Sequence, residues 1–379
     1  MNRKQFIVLV VLVAVIGGLA FVLKNNKTTA WKSGEKSSGG TVLKDFPLND
    51  VTEIALKDKD ASLTLVRKDE RWTVKERNNY PANFDEISSF LKKVWELKPI
   101  QQPTVGESQL GRLDLLMPEK GDKSGLLVEF KGQGGKAIGS LLLGKKHMRE
   151  GNSSMGGGSF PDGRYLMIPS KLDSIALVSE SFNNIEPKPT EWLSKDFFKV
   201  EKLKGVTVSA DGKESWSINR ESESGEWKLA GLKSEEKQEP SATGTYNFLL
   251  SSASFNDVVT DAGELKNAVK ATLETFDGFK YELTLASKEG SEDYLMKFAV
   301  SADLAKERTP GKDEKPEDKA KLDKEFKERA DKLTEKLKLE KTFEGHTYLI
   351  SKFTVDALLK DRASFIAKKE DEKTAKTPE

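Results

Sequence analysis

The sequence contains no cysteine, which excludes structural disulfides, thiolate metal sites, a thiol nucleophile and a lipoprotein-type acylated cysteine. Any core must therefore hold without covalent help. Histidine is nearly as scarce: His147 and His346 are the only two, and most zinc or Ser-His-Asp chemistry needs a well-placed imidazole. A net field of either sign is also missing. Lys plus Arg (62) nearly cancels Asp plus Glu (61), leaving nothing to gather nucleic acid or to hold the chain along anionic lipid. Nucleic-acid binding is not expected.

What is present is a chain of 379 residues, 36% hydrophobic and 32% charged, with a mean hydropathy of -0.55. That balance describes modest cores under a heavily solvated surface, and the length exceeds what one core ordinarily holds. Two domains are the expectation. One stretch departs from the pattern: Phe6 to Leu23 carries no charge and, at about 1.5 Å per residue, nearly crosses a hydrocarbon core of about 30 Å. It is apolar all round, so residues 1–23 read as a membrane anchor, with Phe6, Leu12, Ile16, Leu19 and Leu23 in lipid. The competing reading is a cleaved signal peptide, whose apolar region usually runs about 7–15 residues. Thr28-Thr29-Ala30 is only a loose cleavage site for it. Arg3 and Lys4 face Lys24, Lys27 and Lys32 across the segment, a near tie in flanking charge. The very short amino-terminal tail then favours a single pass through the inner membrane, with the body on the periplasmic side.

Residues 24–41 have linker composition, rich in Lys, Ser, Gly and Thr. Beyond them, residues 42–199 read as a first module. Thr52 to Leu56, Ser62 to Val66 and Arg71 to Val74 alternate as strands, and Lys68-Asp69-Glu70 marks a turn. Asn83 with Glu86 forms a capping box, after which Phe84, Ile87, Leu91, Val94 and Trp95 recur at helical spacing. Further strands are expected at Leu126 to Phe130, Ile138 to Leu143 and Tyr165 to Ile168, with a helical stretch near Leu172 to Val178.

This order then repeats over residues 200–370. Glu226-Trp227-Lys228-Leu229 matches Arg71-Trp72-Thr73-Val74, and Tyr281 to Leu285 matches Leu126 to Phe130 at the same offset. A helix is expected between them, with Tyr246, Leu249, Leu250 and Ala253 on one face. Tyr348-Leu349-Ile350 echoes Tyr165-Leu166-Met167 at a larger offset, which places a charged insertion at about 302–341. Inside it, Leu322, Phe326, Leu333 and Leu337 form a narrow apolar stripe on a Lys/Glu-rich helix. The plainer reading is a solvated helix lying on its own module; the sharper one is a docking face for a partner. Residues 371–379 read as a disordered tail. The fold class expected is α+β: one transmembrane helix, then two related modules, each an antiparallel sheet packed by a helix.

No catalytic, cofactor-binding or metal-binding residue stands out. Gly132-Gln133-Gly134-Gly135-Lys136 lacks phosphate-loop spacing and lies between two strands, so it reads as a hairpin turn. Gly156-Gly157-Gly158-Ser159 with Pro161-Asp162-Gly163 reads as a long connection. Neither histidine has a second ligand at metal spacing, and both read as surface or strand-end residues. The carboxylates are evenly mixed with lysine, so no acid/base pair can be named. Trp72, Trp95, Trp192, Trp216 and Trp227 fall on expected strands or helices, where a core role outweighs sugar stacking.

The pattern resembles a bacterial family known as domain of unknown function 4340. The residues that carry the likeness are Arg71-Trp72-Thr73-Val74, Tyr80-Pro81-Ala82, Leu110-Gly111-Arg112-Leu113-Asp114 with Pro118, Leu143-Gly144, Gly163-Arg164-Tyr165-Leu166 and Trp192-Leu193-Ser194-Lys195-Asp196. A weaker echo reaches Leu358-Leu359-Lys360-Asp361-Arg362. The resemblance implies an anchored envelope protein associated with a gliding-motility-type or related ABC-2 transport system. The expected partners are membrane lipid, through the amino-terminal helix, and ABC-type transporter subunits. The functional expectation is a non-enzymatic accessory or scaffold protein without cofactors. Its competitors are an envelope-polymer binding module and, more remotely, a hydrolase of unfamiliar type.

Overall fold

A computed structural model describes residues 40–150, 158–210, 214–310 and 314–368. The anchor segment with Phe6, Leu12, Ile16, Leu19 and Leu23, nearly all of the linker, and the tail lie outside these. Among the described residues no helix is long and apolar enough to cross a membrane. The chain divides into two compact units between Trp192 and Leu193.

The first unit is built on nine strands: β1 (Glu53–Lys57), β2 (Ser62–Lys68), β3 (Arg71–Val74), β4 (Tyr80–Pro81), β5 (Pro99–Gln101), β6 (Leu126–Lys131), β7 (Ala137–Glu150), β8 (Ser159–Met167) and β9 (Ala176–Val178). They form one sheet in the order β4-β3-β2-β1-β6-β7-β8-β9-β5, antiparallel at every pairing. Alternation sets the inner face. Ile54 stands opposite Leu65 on β2 and Phe130 on β6, and all three are fully buried. Between β4 and β5 the chain passes from one edge of the sheet to the other through the helix Phe84–Glu96. Asn83 starts that helix by accepting hydrogen bonds from the Asp85 and Glu86 amides, at 3.1 and 3.3 Å. Its buried face is Ile87, Phe90, Leu91 and Val94, each side chain contributing about 1.5–3 kcal/mol on burial. Phe90 packs against the rings of Phe130, Phe182 and Trp192. Phe84 and Trp95, expected on the buried face, are instead 61% and 51% exposed, because at about 100° per residue both fall to one side of the direction shared by Ile87, Phe90, Leu91 and Val94. The stretch expected to be helical at Leu172 to Val178 is one 3-10 turn, Leu172–Ser174, followed by strand β9.

The second unit repeats this path. Its strands are β10 (Leu203–Ala210), β11 (Trp216–Asn219), β12 (Lys228–Leu229), β13 (Asp257–Val259), β14 (Val269–Thr275), β15 (Phe279–Ser287), β16 (Tyr294–Ala302) and β17 (Thr347–Ile350). The order β12-β11-β10-β14-β15-β16-β17-β13 is the same walk as β3-β2-β1-β6-β7-β8-β9-β5. Val206 faces Ile218 and Leu273 as Ile54 faces Leu65 and Phe130. Two of the expected correspondences shift by one strand. Tyr281 to Leu285 lies on β15, the counterpart of β7 rather than β6, and Tyr348 to Ile350 lies on β17, the counterpart of β9 rather than β8. Neighbouring antiparallel strands share one alternation of apolar residues, so pattern matching slides by a strand at no penalty.

The α-helix expected around Tyr246 in the second unit does not form. Pro240–Asn247 is a 3-10 run, in a segment of Pro, Ser, Thr and Gly with weak helix propensity, and Leu250 beyond it has a left-handed φ of 56°. Tyr246 supplies the buried ring instead. It packs on Trp216 and Phe365, and its hydroxyl donates to the Ala357 carbonyl at 2.7 Å. Phe197 and Phe198 pack with Phe298, and Phe197 also meets Phe255, Phe343 and Tyr348. The fold is thus strand-rich, two antiparallel sheets with few helices.

The long helix Lys319–Lys341 interrupts the second unit between β16 and β17. Leu322, Phe326, Leu333 and Leu337 are half-buried along it. Phe326 and Leu333 close a cavity of about 220 Å³ with Phe276, Gly278 and Leu304. Arg329 pairs with Asp277, and the Lys336 ammonium donates to the Lys199 carbonyl at 2.8 Å. Near the C-terminal end of this helix Glu340 is 3% exposed. It accepts hydrogen bonds from the Lys199 amide at 2.9 Å and the Tyr281 hydroxyl at 2.8 Å. Burial raises the Glu340 carboxyl above its ordinary range despite those donors.

Candidate functional site

Four of the residues that carry the family likeness, Asp114, Leu143, Gly144 and Arg164, line one cleft of about 570 Å³ in the first unit. Gly125 and Gly144 line it, and with Gly163 beside them they let backbone approach closely. A Cβ on Gly125 would stand 2.7 Å from the Leu143 carbonyl oxygen, one on Gly163 would stand 2.5 Å from that of Val178, and one on Gly144 would overlap that of Leu113. The Lys145 amide then reaches the Leu113 carbonyl at 2.8 Å, tying β7 to the segment of Leu113 and Asp114. Arg164, on β8, lines the cleft. Its Nε donates to the Gly144 carbonyl at 2.8 Å and its Nη1 to the Phe182 carbonyl at 3.2 Å. Burial pushes its guanidinium down to about 10, against the opposing pull of Glu186 and Asp114. At the rim, Lys59 bonds Asp122 at 2.8 Å and Lys188 bonds Glu186 at 2.5 Å, while Asp58 closes its own turn by accepting from the Asp60 and Ala61 amides. Trp192 Nε1 donates to the Glu186 carbonyl at 2.8 Å, fixing the cleft's last wall. Backbone shape and paired charges dominate this cleft.

A second cleft, of about 870 Å³, lies in the second unit where the β11–β12 connection and the start of β12 meet the run Pro240–Asn247. Arg220 is 8% exposed and lies 4.7 Å above the Trp227 ring centre and 5.8 Å from that of Phe276. It donates to the carbonyls of Leu203 and Glu223. Burial lowers its pKa, with Glu223 opposing. Asn247 Oδ1 accepts from Arg220 Nη1 at 3.2 Å and from Trp227 Nε1 at 3.0 Å. Beside it, Phe248 lines the same cleft and is 76% exposed.

The histidines stand apart from both clefts. His147 is within β7 rather than at a strand end, half-buried, with Nδ1 2.6 Å from Asp162 Oδ1. His346 is half-buried just before β17, and burial lowers its pKa. Among the described residues no group of three or more His, Cys, Asp or Glu is placed to hold a metal ion. Gly132 to Lys136 forms the β6–β7 turn, with Gly134 and Gly135 at positive φ. Pro161-Asp162-Gly163, expected in a loop, belongs to β8; residues 151–157 lie outside the described set. Trp72, Trp192, Trp216 and Trp227 are buried as expected, and Trp95 is not.

The sequence marks Arg164 only as part of the family likeness and does not mark Arg220 or Asn247 as site residues. A glycine followed by arginine inside an apolar strand, as at Gly163-Arg164, was the available signal.

The family model described as Domain of unknown function (DUF4340) matches residues 72–275, more than half of the chain. Nothing matches among curated proteins, and nothing matches among solved structures.

Proposed function

This chain belongs to the DUF4340 family, and on that premise we propose that it is a membrane-anchored, extracytoplasmic accessory or scaffold protein of an ABC-type envelope transport complex. One observation carries the non-enzymatic part of the reading. The residues of the family likeness are used to build the fold: Trp72 and Trp192 are buried, Gly144 and Gly163 admit neighbouring backbone, and Arg164 bonds backbone carbonyls. Ser194 and Asp196 lie together as well, and there the Ser194 hydroxyl donates to the Asp196 carboxylate and accepts from the Asp196 amide, both at 3.3 Å, closing a local turn. The charge-free run Phe6 to Leu23 supports the anchor. Both sheets end in edge strands of only two or three residues, which discourages strand addition by another chain. A partner would therefore meet faces and clefts, the half-buried stripe of Leu322, Phe326, Leu333 and Leu337 among them.

The test is purification at native expression in mild detergent, followed by mass spectrometry. Transport-complex subunits should accompany the chain; their consistent absence would overturn the reading. A reporter joined after Glu379 that works only in the cytoplasm would overturn the placement of the body.

A further inference from the structure

We propose that the cleft beside Phe248 in the second unit binds an uncharged sugar chain. Three features of the cleft point to that chemistry.

The first is an aromatic face offered to solvent on a stiff support. Phe248 is 76% exposed, yet its amide donates to the Thr245 carbonyl at 3.3 Å. Its carbonyl accepts from the Ser251 amide at 3.1 Å and the Ser251 hydroxyl at 2.9 Å. These bonds fix the backbone that carries the exposed ring, and the apolar face of a pyranose is a partner of matching shape for that ring.

The second is a set of oriented polar groups with no net charge. The Asn247 oxygen is held by Arg220 and Trp227 at 3.2 and 3.0 Å, and because both partners are donors, the amide nitrogen must point the other way. Asn247 is exposed and lines the cleft, so that nitrogen is a fixed donor for a ligand hydroxyl or acetamido oxygen. The charged residues of the lining are Arg220, Glu223, Glu226 and Lys228, which cancel. Arg220 itself is stacked on Trp227 and already bonded to two backbone carbonyls, so it does not call for an anion.

The third disfavours an extended peptide. The edge strand β12 is closed by Gln238, whose Oε1 accepts from the Leu229 amide at 2.7 Å and whose Nε2 donates to the Trp227 carbonyl at 2.6 Å. That carboxamide takes the place a neighbouring strand would occupy, so peptide cannot add to the edge there. A cleft of about 870 Å³ is within the usual range for small-ligand sites and has room for several sugar rings.

The test uses the full chain in lipid nanodiscs, since sugar-headed detergents would compete. Tetramers of N-acetylglucosamine and of glucose serve as probes, read by saturation-transfer NMR and calorimetric titration, with an uncharged tetrapeptide alongside. Phe248→Ala should weaken binding by about tenfold, the loss of one stacked ring. Gly244→Trp should abolish it, because the space around that glycine's Cβ position is open and the indole would fill the cleft. Phe353→Ala, which removes a ring 91% exposed outside the cleft, should change nothing. Melting curves of the three variants should match the parent, separating lost binding from lost folding. No saturable binding of either sugar, binding that survives both cleft substitutions, or displacement of sugar by the tetrapeptide would each overturn the proposal. The purified chain carries no partner, so this outcome and the co-purification outcome fail independently.

Discussion

Gly144→Ala should damage the first unit more than the same change at Gly125 or Gly163, where the nearest backbone oxygen is farther away. The new Cβ would overlap the Leu113 carbonyl oxygen and stand 2.7 Å from Leu115 Cδ2, and neither can move freely. The Leu113 carbonyl holds the Lys145 amide at 2.8 Å, and Leu115 is fully buried in a small core with Leu110, Leu127, Leu142, Met167 and Ile175. Relief requires the segment of Leu113 and Asp114 to swing away from β7. That breaks the Lys145 bond and disturbs the bond from Arg164 to the Gly144 carbonyl, at about 1 kcal/mol each. Strain in the repacked core adds about 1–3 kcal/mol. The sum, about 3–5 kcal/mol, corresponds to a fall in Tm of about 6–20 °C for a unit of this size. Thermal unfolding followed by circular dichroism measures it. Gly106→Ala is the control: no atom lies within 4 Å of its Cβ position and its φ is ordinary, so its Tm should stay level or rise slightly. If Gly144→Ala melted within a degree or so of the parent, the close-approach account of the cleft would be refuted.

Phe90→Ala removes the ring that joins Phe130, Phe182 and Trp192 and should cost about 3–5 kcal/mol in denaturant unfolding; a loss below about 1 kcal/mol would mean the helix Phe84–Glu96 is not centred on it. Glu340→Gln tests the sign of a buried charge. Because burial raises the folded-state pKa of Glu340, its contribution is fully present below the ordinary carboxylate range and is lost as pH rises through the raised value. The variant should therefore gain on the parent in stability as pH rises and match it in acid, and a gap that widens on acidification instead would contradict this.

Local signals in the chain were legible where a short stretch carries its own physics. Asn83 caps a helix because its side chain reaches amides two and three residues on, and Gly132 to Lys136 turns because Gly134 and Gly135 accept positive φ. The duplication was legible as well, through Trp72 and Trp227. Its strand-by-strand correspondence was not, since nothing local tells β14 from β15 when both alternate. The helix expected around Tyr246 failed for a different reason. The spacing of Tyr246, Leu249 and Leu250 suits a helix, but Pro240 to Thr245 favours a 3-10 run and tertiary contacts of Tyr246 with Trp216 and Phe365 are satisfied without an α-helix.

The candidate sites lay further still from sequence reasoning. The likeness around Gly144, Gly163 and Arg164 was visible as residue identity, but its meaning depends on Leu113, Val178 and Phe182 arriving from elsewhere in the chain. Asn247 and Gln238 are unremarkable letters until Arg220, Trp227 and Leu229 fold against them. By itself, then, the sequence determined alternation, turns, one helix start and an apolar run from Phe6 to Leu23, all properties of neighbouring residues, together with a doubled plan visible as repeated pattern. Only the tertiary structure decided strand partners, the seating of Lys319–Lys341 and the makeup of both clefts, because each depends on closing long loops whose ends no local pattern identifies.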